Sequence, residues 1–171
     1  MIEMLVMAGI AVAVILWLVG IFNGLVKLRN RVKNAWSQID VQLKRRHDLI
    51  PNLVETAKGY MKHERETLEN ITKARNLAQN ASGVGEQGKA EANLSQAMSN
   101  FYVVVENYPE LKANENFLSL QEELTSTENK IGFSRQFYHD EPMLFTTKFE
   151  LFPSNIIADI FNFNQSYFFK I

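Results

Sequence analysis

The sequence lacks cysteine. This absence, together with the other residue patterns that are missing, limits the folds and functions that the protein can have. None of the 171 residues can carry a lipoprotein anchor or form a disulfide bond, since both need cysteine. The absence fits a reducing compartment, although many exported proteins also lack cysteine. No run of alternating β-branched residues occurs, so the sequence predicts no β-sheet.

Catalytic motifs are also missing. His63 and Glu64 begin the pattern of a zinc-protease helix, but Thr67 occupies the position of the second histidine. His47 has no further clustered metal ligand, and the segment 46–52 differs from a kinase catalytic loop in residue order. We therefore predict that the protein is not an enzyme and has no cofactor or metal site. A hydrolase without a recognisable motif is a second alternative.

Charged side chains are absent from residues 4–26, a run of 23 positions. At about 1.5 Å per residue, a helix of this length measures roughly 35 Å, whereas the hydrocarbon core of a bilayer is about 30 Å thick. A helix in a soluble core would present a polar face, which this run lacks. We predict a transmembrane helix over residues 2–24.

Basic residues follow the apolar run and predict its orientation. Residues 27–46 hold seven basic side chains and one acid, Asp40. Because basic residues beside a span resist translocation, we expect the N-terminus outside and the following domain in the cytoplasm. A cleaved signal peptide is disfavoured, since its positive charge would precede the apolar run. The membrane-proximal basic cluster comprises Lys27, Arg29, Arg31 and Lys33.

Residues 25–152 are predicted to form one all-α domain, an antiparallel bundle of the four-helix type. Apolar residues recur at spacings of four and three over residues 32–78, which indicates a coiled-coil-like first arm. Gly24 is the one residue of low helix propensity where the arm joins the apolar run. The span and this arm are therefore predicted to be one helix. Pro51 predicts a kink within the arm, and Gly59 is a second weak point.

The remaining helix boundaries are predicted from turn and cap signals. Residues 81–88 contain three glycines and predict a turn. A second helix follows and is expected to end at Pro109. Its predicted apolar face consists of Ala90, Leu94, Ala97, Phe101, Val104 and Tyr108. Asn114 is suited to cap a third long helix, which Pro142 should kink or end.

Polar residues near the apolar stripes predict a polar layer in the core. Its candidate members are Arg46, Glu64, Glu128 and Arg135. We expect cross-helix hydrogen bonds or ion pairs among them, because such a layer specifies helix register more surely than it adds stability. A catalytic role for Glu128 is not required by the spacing.

Charge is distributed unevenly along the chain. Residues 25–80 contain 12 basic and 6 acidic side chains, whereas residues 81–171 contain 6 basic and 12 acidic ones. Either two arms of one bundle pack on each other, or subunits contact one another head to tail as a homo-oligomer. Nucleic acid is disfavoured as a partner, because an acidic half balances the basic half.

Residues 153–171 are predicted to be an aromatic C-terminal segment, and the sequence FPSN at 152–155 indicates a helix start. We expect this segment to pack on the bundle or on a neighbouring subunit. Contact with the membrane interface is the weaker alternative, because the segment brings few lysines with it. The candidate interaction surface comprises Phe161, Phe163, Phe168 and Phe169.

Motifs distributed over nearly the whole chain resemble the LemA family. They read NGLV at 23–26, RNRV at 29–32, AWSQIDVQL at 35–43, RRHDLIPNLV at 45–54, KGY at 58–60, HE at 63–64, YPEL at 108–111, TENKI at 127–131 and FPSNIIA at 152–158. The resemblance implies a single-pass protein of the bacterial inner membrane with a cytoplasmic four-helix bundle and no established enzyme activity or cofactor. Some relatives are linked to membrane remodelling and others to membrane stress or proteolysis.

Two classes of function therefore remain open. The first is a membrane-anchored scaffold, bound to the lipid bilayer, that self-assembles to organise or remodel the membrane. The second is an adaptor for a membrane protein partner such as a stress protease. The heptad arm, the complementary charges and the aromatic segment favour the scaffold.

Overall fold

The computed structural model describes residues 1–163, except for the side chains of Phe137, His139 and Asp140, and its described part is helical without strands. Six helices follow one another along the chain: α1 (Ile2–Lys58), α2 (Arg65–Asn80), α3 (Val84–Val105), α4 (Pro109–Lys112), α5 (Glu115–Glu150) and α6 (Ser154–Ile160). The all-α prediction, with a long first helix, is confirmed.

Helix α1 contains 57 residues and is unbroken from the apolar run into the first arm. It continues through Pro51 and ends at Lys58, directly before Gly59, where the sequence predicted a weak point. Within the part of the chain that the structure describes, α1 is the one helix long and apolar enough to cross a membrane. The apolar run and the first arm are therefore parts of the same helix.

Two boundaries differ from those expected, and at a third, Pro142, the structure excludes one of the two expected outcomes, an end of the helix. The predicted turn over 81–88 ends early, because α3 begins at Val84, after Gly83 with a φ of 82°. Pro109 does not end the second helix but begins α4, where its missing N–H costs no hydrogen bond. Pro142 does not end the third long helix, since α5 continues to its boundary at Glu150.

Tertiary packing explains why α3 extends over glycines that were expected to remain in a turn. The first turns of α3 contain Gly85 and Gly88, each of which costs about 1 kcal/mol of intrinsic helix stability. The same helix buries Leu94, Met98 and Phe101 in the core. Burying side chains of this size contributes about 1.5–3 kcal/mol each, which exceeds the cost of the glycines.

Residues 38–134 form one compact unit, which we call the central unit. Every helix from α1 to α5 contributes to its core. The largest fully buried side chains are Ile39, Leu43, Ile50, Leu53, Met61, Ile71, Leu94, Phe101, Leu111 and Phe117. Asn114 begins α5 as predicted, because its Oδ1 accepts a hydrogen bond from the Phe117 N–H at 3.0 Å.

A second compact unit, which we call the terminal unit, contains residues 1–37 and the described residues from 135 onward. Its α1 segment is exposed as far as residue 20 and is packed beyond that point. The rings of Trp36 and Tyr138 lie 5.3 Å apart, so the C-terminal part of α5 packs on α1. Within the terminal unit, α5 therefore packs on one side of α1 beyond the apolar run.

Candidate functional site

A cluster of polar side chains lies inside the central unit, and we call it the buried polar cluster. Helix α1 contributes Arg46 and His47, α3 contributes Glu91 and Ser95, and α5 contributes Glu128. Arg46, His47 and Glu91 are each at most 5% exposed. Charged groups are rarely buried to this extent unless they are paired, so their contacts define what the cluster can do.

Arg46 lies at the centre of the buried polar cluster. Its Nη1 atom is 3.3 Å from Glu91 Oε2 and 3.1 Å from Glu128 Oε2. Its Nη2 atom donates to Ser95 Oγ at 2.9 Å. One guanidinium therefore joins three helices, and its planar fork of donors is suited to such multiple contacts.

His47 completes the cluster on the other side of Glu91. Its Nε2 atom is 2.6 Å from Glu91 Oε1, so both carboxylate oxygens of Glu91 have partners. The His47 carbonyl accepts a hydrogen bond from Arg75 Nε at 2.9 Å, which brings α2 to the same level of the bundle. Four helices therefore meet at this cluster.

The cluster is deeply buried at Glu91 and reaches solvent at Glu128, whose side chain is 47% exposed. Tyr102 lies beside it: burial raises the pKa of Tyr102 to about 12, and the nearby positive charge of Arg46 opposes that rise. Removing one partner from a buried ion pair typically costs about 3–5 kcal/mol, whereas an apolar replacement of the whole pair can be neutral. The arrangement therefore penalises any packing of the helices that separates Arg46 from Glu91.

Two of the four predicted polar-layer residues meet in the structure. Arg46 and Glu128 form an ion pair. Glu64 instead accepts a hydrogen bond from the Tyr108 hydroxyl at 3.2 Å, and Arg135 is exposed on α5. The buried layer thus contains Arg46 and Glu128 but is completed by residues that were not predicted.

The residues that sequence reasoning missed are His47, Glu91 and Ser95. The buried positions of α3 are 91, 94, 98, 101 and 105, so Glu91 extends the apolar stripe by one helical turn. An acid in register with a buried stripe was the available signal. It was overlooked because the stripe was placed on Ala90 and Ala97, one residue away from two of the buried positions.

The membrane-proximal basic residues and the aromatic segment meet in the terminal unit. The Arg29 guanidinium lies over the Phe163 ring, 5.1 Å from its centroid, and Lys27, Arg31 and Lys33 are exposed. Phe163 is 6% exposed, so it packs within the chain and not on an outer surface.

The other three aromatic residues of the candidate interaction surface have different positions. Phe161 is 60% exposed and is the one described member that reaches the surface. Phe168 and Phe169 lie outside the described residues. The candidate surface is therefore represented in the structure by Phe161 alone.

A groove between the end of α1 and α2 is the remaining concave feature of interest, and we call it the basic groove. Its volume is about 550 Å³, and its apolar lining comes from Val54, Met61 and Leu68. Its polar rim consists of Lys58, Lys62, Arg65, Glu69, Thr72 and Lys73. Among the side chains that the structure describes, no group of three or more His, Asp or Glu is arranged to hold a metal ion.

Comparison with known proteins matches most of the chain to one family. The model of the LemA family matches residues 35–171, which includes all contributors to the buried polar cluster. A protein described as Protein LemA from Metamycoplasma hominis is 30% identical over 152 residues, covering 84% of this chain and 68% of that relative. On the extent of both matches, this chain belongs to the LemA family.

Proposed function

We propose that this LemA-family chain is a non-enzymatic, membrane-anchored helical scaffold that self-assembles to organise or shape the bacterial membrane. The observation that carries the proposal is the continuity of α1. One helix of 57 residues connects the charge-free run to the core of the bundle, with no linker between them. A rigid connection can transmit the packing of the bundle to the bilayer, which a flexible tether cannot do.

The buried polar cluster supports the same role. Its side chains form hydrogen bonds and ion pairs with one another, and a network of this kind specifies which helix faces pack together. A scaffold needs a bundle of defined geometry more than it needs a reactive group. We therefore assign the cluster to helix register and not to catalysis.

Uneven charge supports self-assembly. The basic residues of the first half and the acidic residues of the second half are complementary, and contacts between exposed charges weaken as salt screens them. Mass photometry of the full chain in nanodiscs should show more than one subunit per particle, with the average mass falling as ionic strength rises. A strictly monomeric particle at low salt would contradict the scaffold.

The rigid junction can be tested separately. A flexible Gly-Ser insert after Gly24 should abolish deformation of liposomes by the full chain, because it uncouples the bundle from the span. The matched control is an Ala-rich insert of the same length in whole heptads, which should retain deformation since it preserves helix and phase. Equal deformation by both variants would contradict the proposed coupling.

The orientation follows from the basic residues after the span. With no native cysteine, a cysteine placed at Glu3 should react with an impermeant thiol reagent in whole cells, and one placed at Ser82 should not. The reverse labelling would overturn the orientation with the bundle in the cytoplasm of the inner membrane.

An adaptor for a membrane protein partner is the second candidate, and the basic groove favours it. Cationic side chains surround an apolar floor there, which suits an acidic amphipathic peptide. Lys62→Glu with Lys73→Glu should abolish co-purification of such a partner, whereas the same reversal at Lys44 and Lys89, outside the groove, should not. Unchanged partners in both variants would exclude the groove as the docking site.

A further inference from the structure

The terminal unit exposes an unusual amount of apolar side chain between residues 144 and 161. Six large apolar residues in this segment of 18 are about half or more exposed: Leu144, Leu151, Phe152, Ile156, Ile160 and Phe161. At the same level of exposure, the central unit has five such residues over 97 residues. Soluble monomers rarely expose a dense apolar patch that binds nothing. We therefore expect this apolar surface to contact another molecule or a membrane.

Ring contacts place one edge of the apolar surface beside the candidate span. The rings of Phe161 and Phe22 are 4.8 Å apart, and the ring of Phe163 lies 5.6 Å from that of Phe22. Phe22 belongs to the charge-free run, close to its cytoplasmic end in the orientation proposed above. The exposed ring of Phe161 is therefore at the level where α1 leaves the bilayer.

The rise per residue of the helices places the Phe152 edge of the apolar surface at the same level along α1 as the Phe161 edge. Within the terminal unit, contacts on α1 move toward its N-terminus as the chain proceeds from Tyr138 to the residues after α6, so α5 is antiparallel to α1. Tyr138 contacts Trp36, and α5 ends 12 residues later, a rise of about 18 Å. The same rise back along α1 from Trp36 reaches Gly24, so Phe152 lies near the end of the run.

Positive charge is also present at this end. Few lysines accompany the aromatic segment in sequence, which made a membrane contact the weaker expectation. The fold provides cations from α1 instead: Lys27 and Arg31 are exposed within about three turns of Phe22. Apolar side chains flanked by cations are typical of segments that lie in the interface of an anionic bilayer.

We propose that this apolar surface inserts into the boundary between headgroups and acyl chains beside the α1 span, so that α6 and its flanking residues form a second membrane contact. The inference rests on the proposed anchoring by α1. Insertion of this kind buries an apolar helix face about 5–10 Å into the interface, with α6 lying parallel to the membrane plane. Asp159, on the flank of Ile160, then stays at headgroup level.

Single labels on the full chain test this placement. The absence of native cysteine allows Ile160→Cys and Val103→Cys, a matched pair because both side chains are 68% exposed, and Val12→Cys reports on the span. Each variant is labelled with an environment-sensitive fluorophore in liposomes of phosphatidylcholine and phosphatidylglycerol. Nitroxide lipids quench labels in the bilayer, and iodide quenches labels in water.

The expected result is a blue-shifted label at position 160 that shallow nitroxide lipids quench, with an iodide quenching constant several-fold below that at position 103. If iodide quenches both positions equally while lipid quenches position 12, the second contact is wrong and the anchor stands. If iodide also quenches position 12, the anchor and the proposed function both fail. A label at position 160 that neither quencher reaches is covered by protein, which also overturns the inference.

Discussion

Replacing Glu91 with leucine should destabilise the central unit by about 3 kcal/mol, the lower end of the cost of breaking a buried ion pair. Glu91 is 1% exposed, and both its oxygens have cationic or potentially cationic partners in Arg46 and His47. We take the lower end because Arg46 keeps Glu128, whose half-exposed carboxylate still offsets its charge. The substitution thus leaves the buried guanidinium of Arg46 with one of its two carboxylate partners.

The chain contains a matched control for this substitution. Glu123 is 3.3 Å from the neighbouring Arg45, the same separation as in the buried pair, but both side chains are about half exposed. Exposed pairs contribute about 0–1 kcal/mol, so Glu123→Leu should cost less than 1 kcal/mol. With residue types and the Arg–Glu distance held constant, the difference between the two variants measures burial together with the additional contact between Glu91 and His47.

Native-state hydrogen exchange of the full chain in detergent is the assay, because it reports the opening free energy of α3 without requiring the apolar run to unfold. Arg46→Met should also destabilise α3. The double variant should cost less than the sum of the two single variants, by about 1–3 kcal/mol, since it removes the buried charge together with its partner. Equal costs for Glu91→Leu and Glu123→Leu, or an additive cycle, would refute the argument from burial.

Three further predictions concern the central unit. Burial raises the pKa of Tyr102 from 10.0 to about 12, so only the unfolded state loses its proton in that window. Tyr102 should therefore lower the free energy of unfolding there by about 1.4 kcal/mol per pH unit, and Tyr102→Phe should remove this contribution in alkaline titrations followed by circular dichroism. Asn114→Ala should cost about 1 kcal/mol in thermal unfolding, because it removes the cap bond to the Phe117 N–H, whereas Asn114→Asp should retain it. Gly83→Ala should destabilise by about 1–3 kcal/mol at a φ of 82°, while Gly88→Ala, with open space around its Cβ inside α3, should stabilise by about 0.5–1 kcal/mol in the same assay.

Helix boundaries were predictable where the signal is local. Asn114 caps α5 through its own side chain, and Gly59 follows the end of α1, so neighbouring residues contain enough information. Prediction failed at Gly85 and at Pro109, where the favoured state depends on packing or on the position of a proline within a turn. A proline at the first position of a helix and one that terminates a helix look the same in a single sequence.

The polar cluster was only partly predictable for a related reason. Arg46 and Glu128 stood out because each interrupts or adjoins an apolar stripe. Glu91 did not, since a shift of one residue in the assigned stripe of α3 moves it from the solvent face to the core. A helical stripe read from sequence carries this ambiguity whenever small residues such as Ala90 and Ala97 occupy the neighbouring positions. The three-dimensional packing removes it, because Leu94, Met98 and Phe101 are buried together.

The aromatic segment shows why composition cannot assign a membrane surface. Phe161 and Phe163 are two residues apart and contact the same ring of Phe22, yet one is 60% exposed and the other 6%. Phe163 is held by the Arg29 guanidinium, so its burial is explained within the chain. Nothing comparable covers Phe161 among the described residues, and its position beside the apolar run makes the bilayer the nearest apolar medium. The argument for a second membrane contact therefore depends on where the ring lies and not on how many rings the segment contains.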